Sequence, residues 1–244
     1  MPRLPRAILF DLDDTIIRAY GRSDRAWAAV IGEFAPMLAP LNDGQVLGAI
    51  LQSARTFWED SARARIWRQK IREARREVVA CAFAALAEKG KYVPAADVQC
   101  RLADRFSDYR NENLELFPDA HTTVDALRMR GVKLALVTNG ASTDQREKIE
   151  RFQLTERFDH IQIEGEHGFG KPEPRAYQHA LQSLGVNAPE SWIIGDNLEW
   201  EVSAPQQLGI HAIWFDPDGV GLPQGTTARP DRIVRMLPEL LEPA

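Results

Sequence analysis

The sequence predicts an α/β fold: a Rossmann-like three-layer core with a mostly parallel sheet, interrupted by an inserted all-helical cap domain. From about residue 115 onward, short and continuously apolar runs alternate with helix-like segments, which is typical of strands buried on both faces. After the first apolar run, roughly 95 residues carry only helical periodicity. We therefore assign residues 1–17 and 115–244 to the core and residues 18–114 to the cap.

Five apolar runs are expected to form the sheet, joined by right-handed crossovers. They are RAILFD at the N-terminus, VKLALVT (132–138), HIQI (160–163), SWIIGD and, as the last strand, IHAIWF. The helix before the second run is expected to end at Gly131, and the helix in KPEPRAYQHALQSLG to begin with Pro172 early and end at Gly185. Ser142 and Gln145 have the spacing of a capping box for the helix STDQREKIERF.

Four apolar stripes with helical spacing predict a small bundle in the insert. They consist of Trp27, Val30, Ile31 and Phe34; Leu47, Ile50, Leu51, Ala54 and Trp58; Val79, Ala82, Phe83 and Leu86; and Val98, Leu102, Phe106 and Tyr109.

Composition and charge exclude several classes of protein. The 244 residues carry a net charge of −5, which argues against a general nucleic-acid binder. No apolar run approaches the length of a membrane span or of a signal-peptide core. Cys81 and Cys100 form no CxxC pair, so we expect reduced thiols in a cytoplasmic protein. Whether the chain is a monomer or a homodimer is left open.

Polar residues follow the predicted strands at their carboxyl ends, where parallel sheets bind ligands. They are Asp11 and Asp13; Thr138, Asn139 and Gly140; Lys171; and Asp196, Asn197, Glu199 and Glu201. Clustered ionised carboxylates need a cation, and oxygen ligands at an open site favour Mg²⁺. A lysine and a hydroxyl beside such a metal suit the charge of a transferring phosphoryl group.

The motifs DLDDT, TNG, GKP and GDNLEWE, in that order, resemble the four motifs of the haloacid dehalogenase-like (HAD) hydrolase superfamily. The helical insert after the first motif resembles its C1-capped phosphatase branch, and the resemblance covers nearly the whole chain. It implies a Mg²⁺-dependent phosphatase that hydrolyses a small phosphorylated metabolite (a sugar phosphate, nucleotide or phospho-acid) through an aspartyl-phosphate.

The resemblance also implies residue roles. Asp11 resembles the nucleophile, and Asp13 the general acid that protonates the leaving alcohol and then activates water. Thr138 would hold phosphoryl oxygens, with Asn139 and Gly140 beside it as phosphate-binding residues, and Lys171 would neutralise charge.

The implied metal ligands are Asp11, the backbone carbonyl of Asp13, and Asp196. The family's last motif usually carries a second aspartate where this chain has Glu201, which makes Glu201 a further candidate on a longer side chain. The dehalogenase branch has a non-acidic residue at the position of Asp13, so Asp13 favours phosphoryl chemistry over halide removal.

Some of these residues also have structural interpretations. Asp14 is expected to shape a turn, and Glu199 to favour the start of a helix through its dipole. The stretch GEHGFGKP nearly matches a nucleotide-binding P-loop, but Pro172 offers neither the metal-binding hydroxyl nor an N–H at the last position.

A basic stretch in the insert has two interpretations. On one helix its arginines share a face, which is either solvated or reaches an anionic substrate. These are Arg65, Arg68, Arg72, Arg75 and Arg76, and Arg22, Arg55 and Trp58 are other candidate cap contributors.

Two alternative functions remain. One is a phosphosugar mutase on the same scaffold, and the other a non-catalytic HAD-like binding module. Within the phosphatases, TNG followed by QREKI favours acylneuraminate-9-phosphatase-like and pyrimidine-nucleotidase-like members over phosphoglycolate-phosphatase-like ones.

Overall fold

The computed structural model describes residues 4–19, 21 and 23–242 and divides the chain into two compact units. Met1–Ala19 with Glu115–Ala244 form the core unit, and Tyr20–Leu114 form the cap unit. The sequence places the first boundary slightly earlier, after Ile17. Arg22, a candidate cap contributor, lies outside the described residues. None of the helices within the described ranges is both long and apolar enough to cross a membrane.

In the described residues of the cap unit, five helices surround one apolar core. They are α1 (Ser23–Leu38), α2 (Asp43–Glu59), α3 (Ser61–Trp67), α4 (Ile71–Glu88) and α5 (Ala96–Glu112). The predicted stripes lie on α1, α2, α4 and α5, and each contributes to this core. Trp27 of α1 stacks on Phe106 of α5 with ring centroids 3.6 Å apart. Asn42 caps α2 by accepting a 2.9 Å hydrogen bond from the Gln45 N–H.

The basic stretch does not form the single helix that its arginine spacing predicted. α3 ends at Trp67, whose ring packs edge-on against Phe57 of α2, and α4 begins only at Ile71. The five arginines therefore do not share one helix face. Arg72 and Arg76 both pair with Asp104, and Arg72 also pairs with Asp108, so these two side chains join α4 to α5.

The core unit is built on a six-stranded parallel sheet. The strands of the chain are β1 (Ala7–Phe10), β2 (Ile17–Arg18), β3 (Glu115–Leu116), β4 (Lys133–Thr138), β5 (His160–Ile163), β6 (Ser191–Gly195), β7 (His211–Phe215) and β8 (Arg232–Val234). The sheet has the order β5-β4-β1-β6-β7-β8, and β2 pairs separately with β3 in antiparallel orientation. This confirms the predicted α/β fold. The prediction that β7 is the last strand was wrong, because β8 follows it.

Helices cover both faces of this sheet, which gives the three layers. The helices of the core unit are α6 (Ala120–Met129), α7 (Ser142–Arg151), α8 (Glu164–His167), α9 (Pro174–Leu184) and α10 (Ala204–Gln206), with a π-helix at Leu198–Ser203 and 3₁₀ helices at Thr155–Arg157, Ala188–Glu190 and Leu237–Leu241. Tyr177 and Leu184 of α9 pack with Leu9 and Val137 on one face. α6 also packs against β4 but does not belong to this group of side chains, so it lies on the opposite face of the sheet.

Glycine ends two of these helices where the sequence predicted: Gly131 follows α6 with φ 81° and Gly185 follows α9 with φ 64°. The predicted start of α9 was wrong, because the helix begins at Pro174 and not near Pro172. The physical reason is that a residue before proline avoids the helical region, and Glu173 accordingly has φ −61° and ψ 131°.

The capping box predicted for α7 was also wrong. Ala141 is the N-cap and makes no side-chain capping bond, while Ser142 is already helical and its hydroxyl donates to Glu166. Gln145 does not reach back to the helix start, since its side chain is buried against Thr138. The hydrogen bond to Thr138 at the end of β4 therefore determines the position of the Gln145 side chain.

Candidate active site

Three neighbouring strands bring the predicted site residues to one edge of the sheet. β1 lies between β4 and β6, so the strand order reverses beside it and opens a crevice at the carboxyl ends. Asp11 follows β1, Thr138 ends β4 and Asp196 follows β6. The topology therefore places two carboxylates and a hydroxyl at the point where α/β sheets bind ligands.

Lys171 joins two carboxylates in the interior of this site. Its Nζ donates a 2.5 Å hydrogen bond to Asp11 Oδ1. Glu201 Oε1 lies 2.8 Å from the same Nζ and forms an ion pair with it. The angle at this contact does not meet the geometry of a hydrogen bond. Lys171 is 1% exposed and Glu201 is 1% exposed, so neither charge is compensated by bulk water.

The charges of these three groups depend on one another. Burial raises the pKa of Asp11, and Lys171 opposes that rise. Burial disfavours the ammonium of Lys171, but Asp11 and Glu201 outweigh it and hold its pKa above the usual range. Burial also raises the pKa of Glu201 to about 7, against the attraction of Lys171. One lysine therefore does not fully compensate both carboxylates.

Asp196 adds a further negative charge to this edge. Its pKa is raised to about 9, first by the protein packed around the carboxyl group and then by Asp11 and Glu201. The residue itself remains exposed, so solvent screens part of that repulsion. Burial is thus the larger cause of the shift, and repulsion by Asp11 and Glu201 adds to it.

Asn139 ties the loop after β4 to the loop that carries Lys171. Its Nδ2 donates to the Lys171 carbonyl at 2.7 Å, and its Oδ1 accepts from the Lys171 N–H at 2.9 Å. Gly170 has no room for a Cβ, which would collide with the side chains of Asn139 and Glu164. Glu164 Oε2 in turn accepts a 3.0 Å hydrogen bond from the Gly140 N–H. The Asn139 side chain and the Gly140 N–H thus have partners inside the protein, where the sequence had suggested phosphate.

Two residues of α7 that were not predicted as site residues contact Asp13. Lys148 Nζ lies 2.7 Å and 2.8 Å from the two carboxylate oxygens of Asp13. Gln145 Nε2 lies 3.0 Å from Asp13 Oδ2 and 2.5 Å from the Thr138 hydroxyl oxygen. In the sequence, both residues lie in the stretch QREKI, which favours particular subfamilies, and Gln145 also has the capping-box spacing from Ser142.

Glu201 is held by the loop after β6. Its Oε2 accepts a 3.0 Å hydrogen bond from the Asn197 N–H, and Asn197 Oδ1 accepts from the N–H groups of Glu199 and Trp200. Gly195 leaves the space that Glu201 fills, because a Cβ there would overlap the Glu201 side chain. Glu199 itself is exposed at the start of the π-helix, where an acid favours the helix dipole.

The third acid of DLDDT shapes the turn after β1. Asp14 has a left-handed backbone with φ 61°, and its Oδ1 accepts a 2.8 Å hydrogen bond from the Ala19 N–H. The hydroxyl of Thr15 lies 3.3 Å from Asp11 Oδ2. The turn therefore contacts the oxygen of the Asp11 carboxylate that Lys171 does not contact.

The donor set fits a hard divalent cation. Asp11, Asp196 and Glu201 supply three carboxylates against one lysine. Burial raises the pKa of all three, and repulsion by Asp11 adds to the rise at Asp196 and Glu201, so a bound cation would favour their ionised forms. Within the described part of the chain, no three acidic, histidine or cysteine side chains close around one metal position. Magnesium in proteins usually keeps several waters and takes only one or two carboxylates, so this arrangement remains suited to it.

Comparison with known proteins identifies the family of this chain. The model of the haloacid dehalogenase-like hydrolase family matches residues 5–209. The chain belongs to this family. The phosphoserine phosphatase of Thermus thermophilus is 39% identical over 51% of the chain, and the chain covers 49% of that protein's length. The N-acylneuraminate-9-phosphatase of Rattus norvegicus is 29% identical over 96% of this chain and 92% of its own.

A solved structure shows the same fold for a HAD hydrolase. The magnesium-bound HAD-hydrolase YfnB from Bacillus subtilis superimposes with a TM-score of 0.67 at 24% identity, covering 98% of both chains. At this identity the match concerns the fold. It extends over the insert as well as the sheet, in agreement with the family assignment.

Proposed function

We propose that this HAD-like hydrolase is a Mg²⁺-dependent phosphatase that acts on a small phosphorylated metabolite through an aspartyl-phosphate. The observation that carries the proposal is the buried Asp11 carboxylate, held by Lys171 at the carboxyl end of the central strand. A proton-carrying candidate, Asp13, and a hydroxyl donor, Thr138, are joined to each other at the same edge through Gln145. These are the groups that phosphoryl transfer needs.

In this mechanism Asp11 attacks phosphorus in line, forming a bond to one carboxylate oxygen while the bond to the leaving alkoxide breaks. Asp13 gives its proton to the departing oxygen. It then takes a proton from water, which attacks the aspartyl-phosphate and releases inorganic phosphate with Asp11 restored. Thr138 donates a hydrogen bond from its hydroxyl to a phosphoryl oxygen, and Lys171 compensates the charge that Asp11 shares with the phosphoryl group.

A bound Mg²⁺ would be held by Asp11, Asp196 and the carbonyl of Asp13, with Glu201 nearby, and would supply charge neutralisation for the phosphoryl oxygens. Lys171 opposes the rise that burial causes in the pKa of Asp11 and so favours its ionised form. Glu201 accepts from the Asn197 N–H and lies beside Lys171, so it helps to hold the lysine in place.

The relatives favour a particular set of candidate substrates. The similarity to N-acylneuraminate-9-phosphatase spans 96% of this chain and so includes the helical insert. The similarity to phosphoserine phosphatase spans only 51%. Cap domains select substrates by closing over the site. We therefore place sugar-acid phosphates first, followed by other sugar phosphates, nucleoside monophosphates and phospho-amino acids.

The test is release of inorganic phosphate from a panel of these four substrate classes and from p-nitrophenyl phosphate, with Mg²⁺ and with excess chelator. We expect hydrolysis only with the metal, and loss of at least about 10³-fold in the Asp11→Asn variant. Equal hydrolysis by that variant, or none by the wild type with any divalent metal, would reject the proposal. Recovery of a phosphorylated isomer in place of free phosphate would identify the mutase alternative.

A further inference from the structure

Gln145 and Lys148 of α7 lie outside the four motifs yet connect two of them. Lys148 Nζ contacts both oxygens of Asp13, and Gln145 Nε2 contacts the hydroxyl oxygen of Thr138. The side chain of Lys148 is 11% exposed and that of Asp13 is 16% exposed. The pair therefore lies within the site and not on the outer surface of the helix.

The chemistry of the two side chains fixes the orientation of the Gln145 amide. Lys148 Nζ carries only donors, and it lies 2.8 Å from Gln145 Oε1. The carbonyl end of the amide must therefore face the lysine. Its NH₂ end must face Asp13, Thr138 and the Asn139 carbonyl, which lies 3.0 Å away.

This orientation determines where the Thr138 proton points. The Thr138 oxygen accepts from Gln145, so its single O–H is left to donate elsewhere. Its partner inside the protein is the Asn139 carbonyl at 3.4 Å, a long contact for an O–H donor. A phosphoryl oxygen would be the stronger acceptor. Gln145 thus presets the hydroxyl as a donor to the substrate.

Lys148 has a comparable effect on Asp13. Two contacts from one ammonium to both carboxylate oxygens restrict rotation of the carboxylate, and Gln145 adds a third contact to Oδ2. A general acid has to lie within hydrogen-bond reach of the leaving oxygen, so its efficiency depends on this orientation.

We propose that Lys148 and Gln145 are positioning residues for phosphoryl transfer. Lys148 orients the Asp13 carboxylate toward the leaving oxygen, and Gln145 directs the Thr138 hydroxyl toward the phosphoryl group. This inference rests on the proposed phosphatase function. It predicts two separable defects, because proton donation matters only for poor leaving groups whereas phosphoryl binding matters for every substrate.

The first test is the Lys148→Met variant, which keeps the length of the apolar stem but removes the ammonium. We compare kcat/KM for p-nitrophenyl phosphate, whose leaving group needs little protonation, with kcat/KM for an alkyl phosphate. The expected loss is about 10²-fold for the alkyl phosphate and less than about 5-fold for p-nitrophenyl phosphate. An equal loss on both substrates would overturn the assignment of Lys148 to the proton-transfer step.

The second test is a double-mutant cycle of Gln145→Met with Thr138→Val. Gln145→Met alone is expected to lower kcat/KM by about 10-fold for p-nitrophenyl phosphate, whose leaving group makes little use of the Asp13 contact to Gln145. In the Thr138→Val background it should cause less than about a 2-fold further loss, because the hydroxyl it directs is gone. Additive losses would overturn the proposed role of Gln145.

Controls separate these outcomes from misfolding and from failure of the phosphatase proposal. Glu147→Gln, an exposed position on the same helix, should leave both rates unchanged. The double variant with Lys148→Met and Asp13→Asn contains no unpaired carboxylate at this place. Its loss of kcat/KM should be larger for the alkyl phosphate than for p-nitrophenyl phosphate, as in Asp13→Asn alone. Thermal unfolding of each variant reports its folded state. Wild-type turnover with an inactive Asp11→Asn variant establishes the phosphatase independently of these results.

Discussion

Lys171→Met is expected to destabilise the core unit strongly. In the native protein the Lys171 ammonium lies 2.5 Å from Asp11 and 2.8 Å from Glu201. Methionine keeps the apolar stem but leaves these two carboxylates without a counter-charge. Asp11 is 8% exposed and Glu201 is 1% exposed, so solvent cannot replace the lost ammonium.

The magnitude follows from the burial of the pair. Removing one partner of a buried ion pair costs about 3–5 kcal/mol. A chain of 244 residues loses about 2–4 °C of Tm for each kcal/mol. The variant should therefore unfold roughly 6–20 °C below the wild type when both are measured with chelator, which removes divalent cations that would otherwise compensate the carboxylates.

The destabilisation should also depend on pH, with a defined sign. Burial raises the pKa of Glu201 to about 7 and raises the pKa of Asp11, and Lys171 opposes both shifts. Without Lys171 both pKa values rise further, so the folded state retains protons that the unfolded chain has released. The stability that such groups contribute is present at low pH and is lost as the pH rises through the folded-state pKa. For each proton retained, the loss is about 1.4 kcal/mol per pH unit. The deficit should be larger at about pH 8 than at about pH 5.5.

Calorimetry of both proteins at these two pH values measures the effect. Lys133→Met serves as the control, because Lys133 is an exposed lysine of the same unit whose Nζ donates to the Leu184 carbonyl. It should lower Tm much less than Lys171→Met does. A Lys171→Met transition within about 2 °C of the wild type at both pH values, or a deficit that shrinks as pH rises, would refute the reasoning.

Three further predictions can be checked by measuring the thermal unfolding of single variants. Gly195→Ala should cost about 1–3 kcal/mol, because its Cβ would overlap Glu201, whereas Gly48→Ala, with open space at that position, should not. Trp27→Ala should cost about 3–5 kcal/mol, because it removes a ring that is 4% exposed and stacked on Phe106. Asp196→Asn should raise Tm in chelator at about pH 8, since it removes a carboxyl group whose ionisation the folded protein disfavours. It should also reduce the stabilisation by Mg²⁺; an unchanged Mg²⁺ effect would exclude Asp196 as a ligand.

The position of the site was predictable because sheet geometry determines it. Parallel strands align their carboxyl ends, so Asp11, Thr138 and Asp196 had to meet at one edge once β1, β4 and β6 were recognised. The continuous apolar runs identified these strands. β8 was not recognised, because it has three residues and Ile233 at its centre is 43% exposed, which gives no buried pattern.

The role of α7 could not be predicted from local spacing. Gln145 and Lys148 are separated by the interval of any helix surface pair, and a solvent-facing helix has the same pattern. The capping-box spacing suggested a different partner for Gln145. The role of Gln145 is determined by its long-range contacts with Thr138 and Asp13. These contacts depend on how α7 packs beside β4.

The central position of β1 has a consequence for synthesis of the protein. β1 is made first, but its pairing partners β4 and β6 end at Thr138 and Gly195. At about 5–20 residues per second, the strand waits roughly 10–40 seconds on the ribosome before both partners exist. The cap unit ends at Leu114 and is complete well before that. During synthesis, β1 therefore remains an apolar strand with two unpaired edges while the whole cap unit is made. We expect the nascent chain to be most prone to misassociation in this interval.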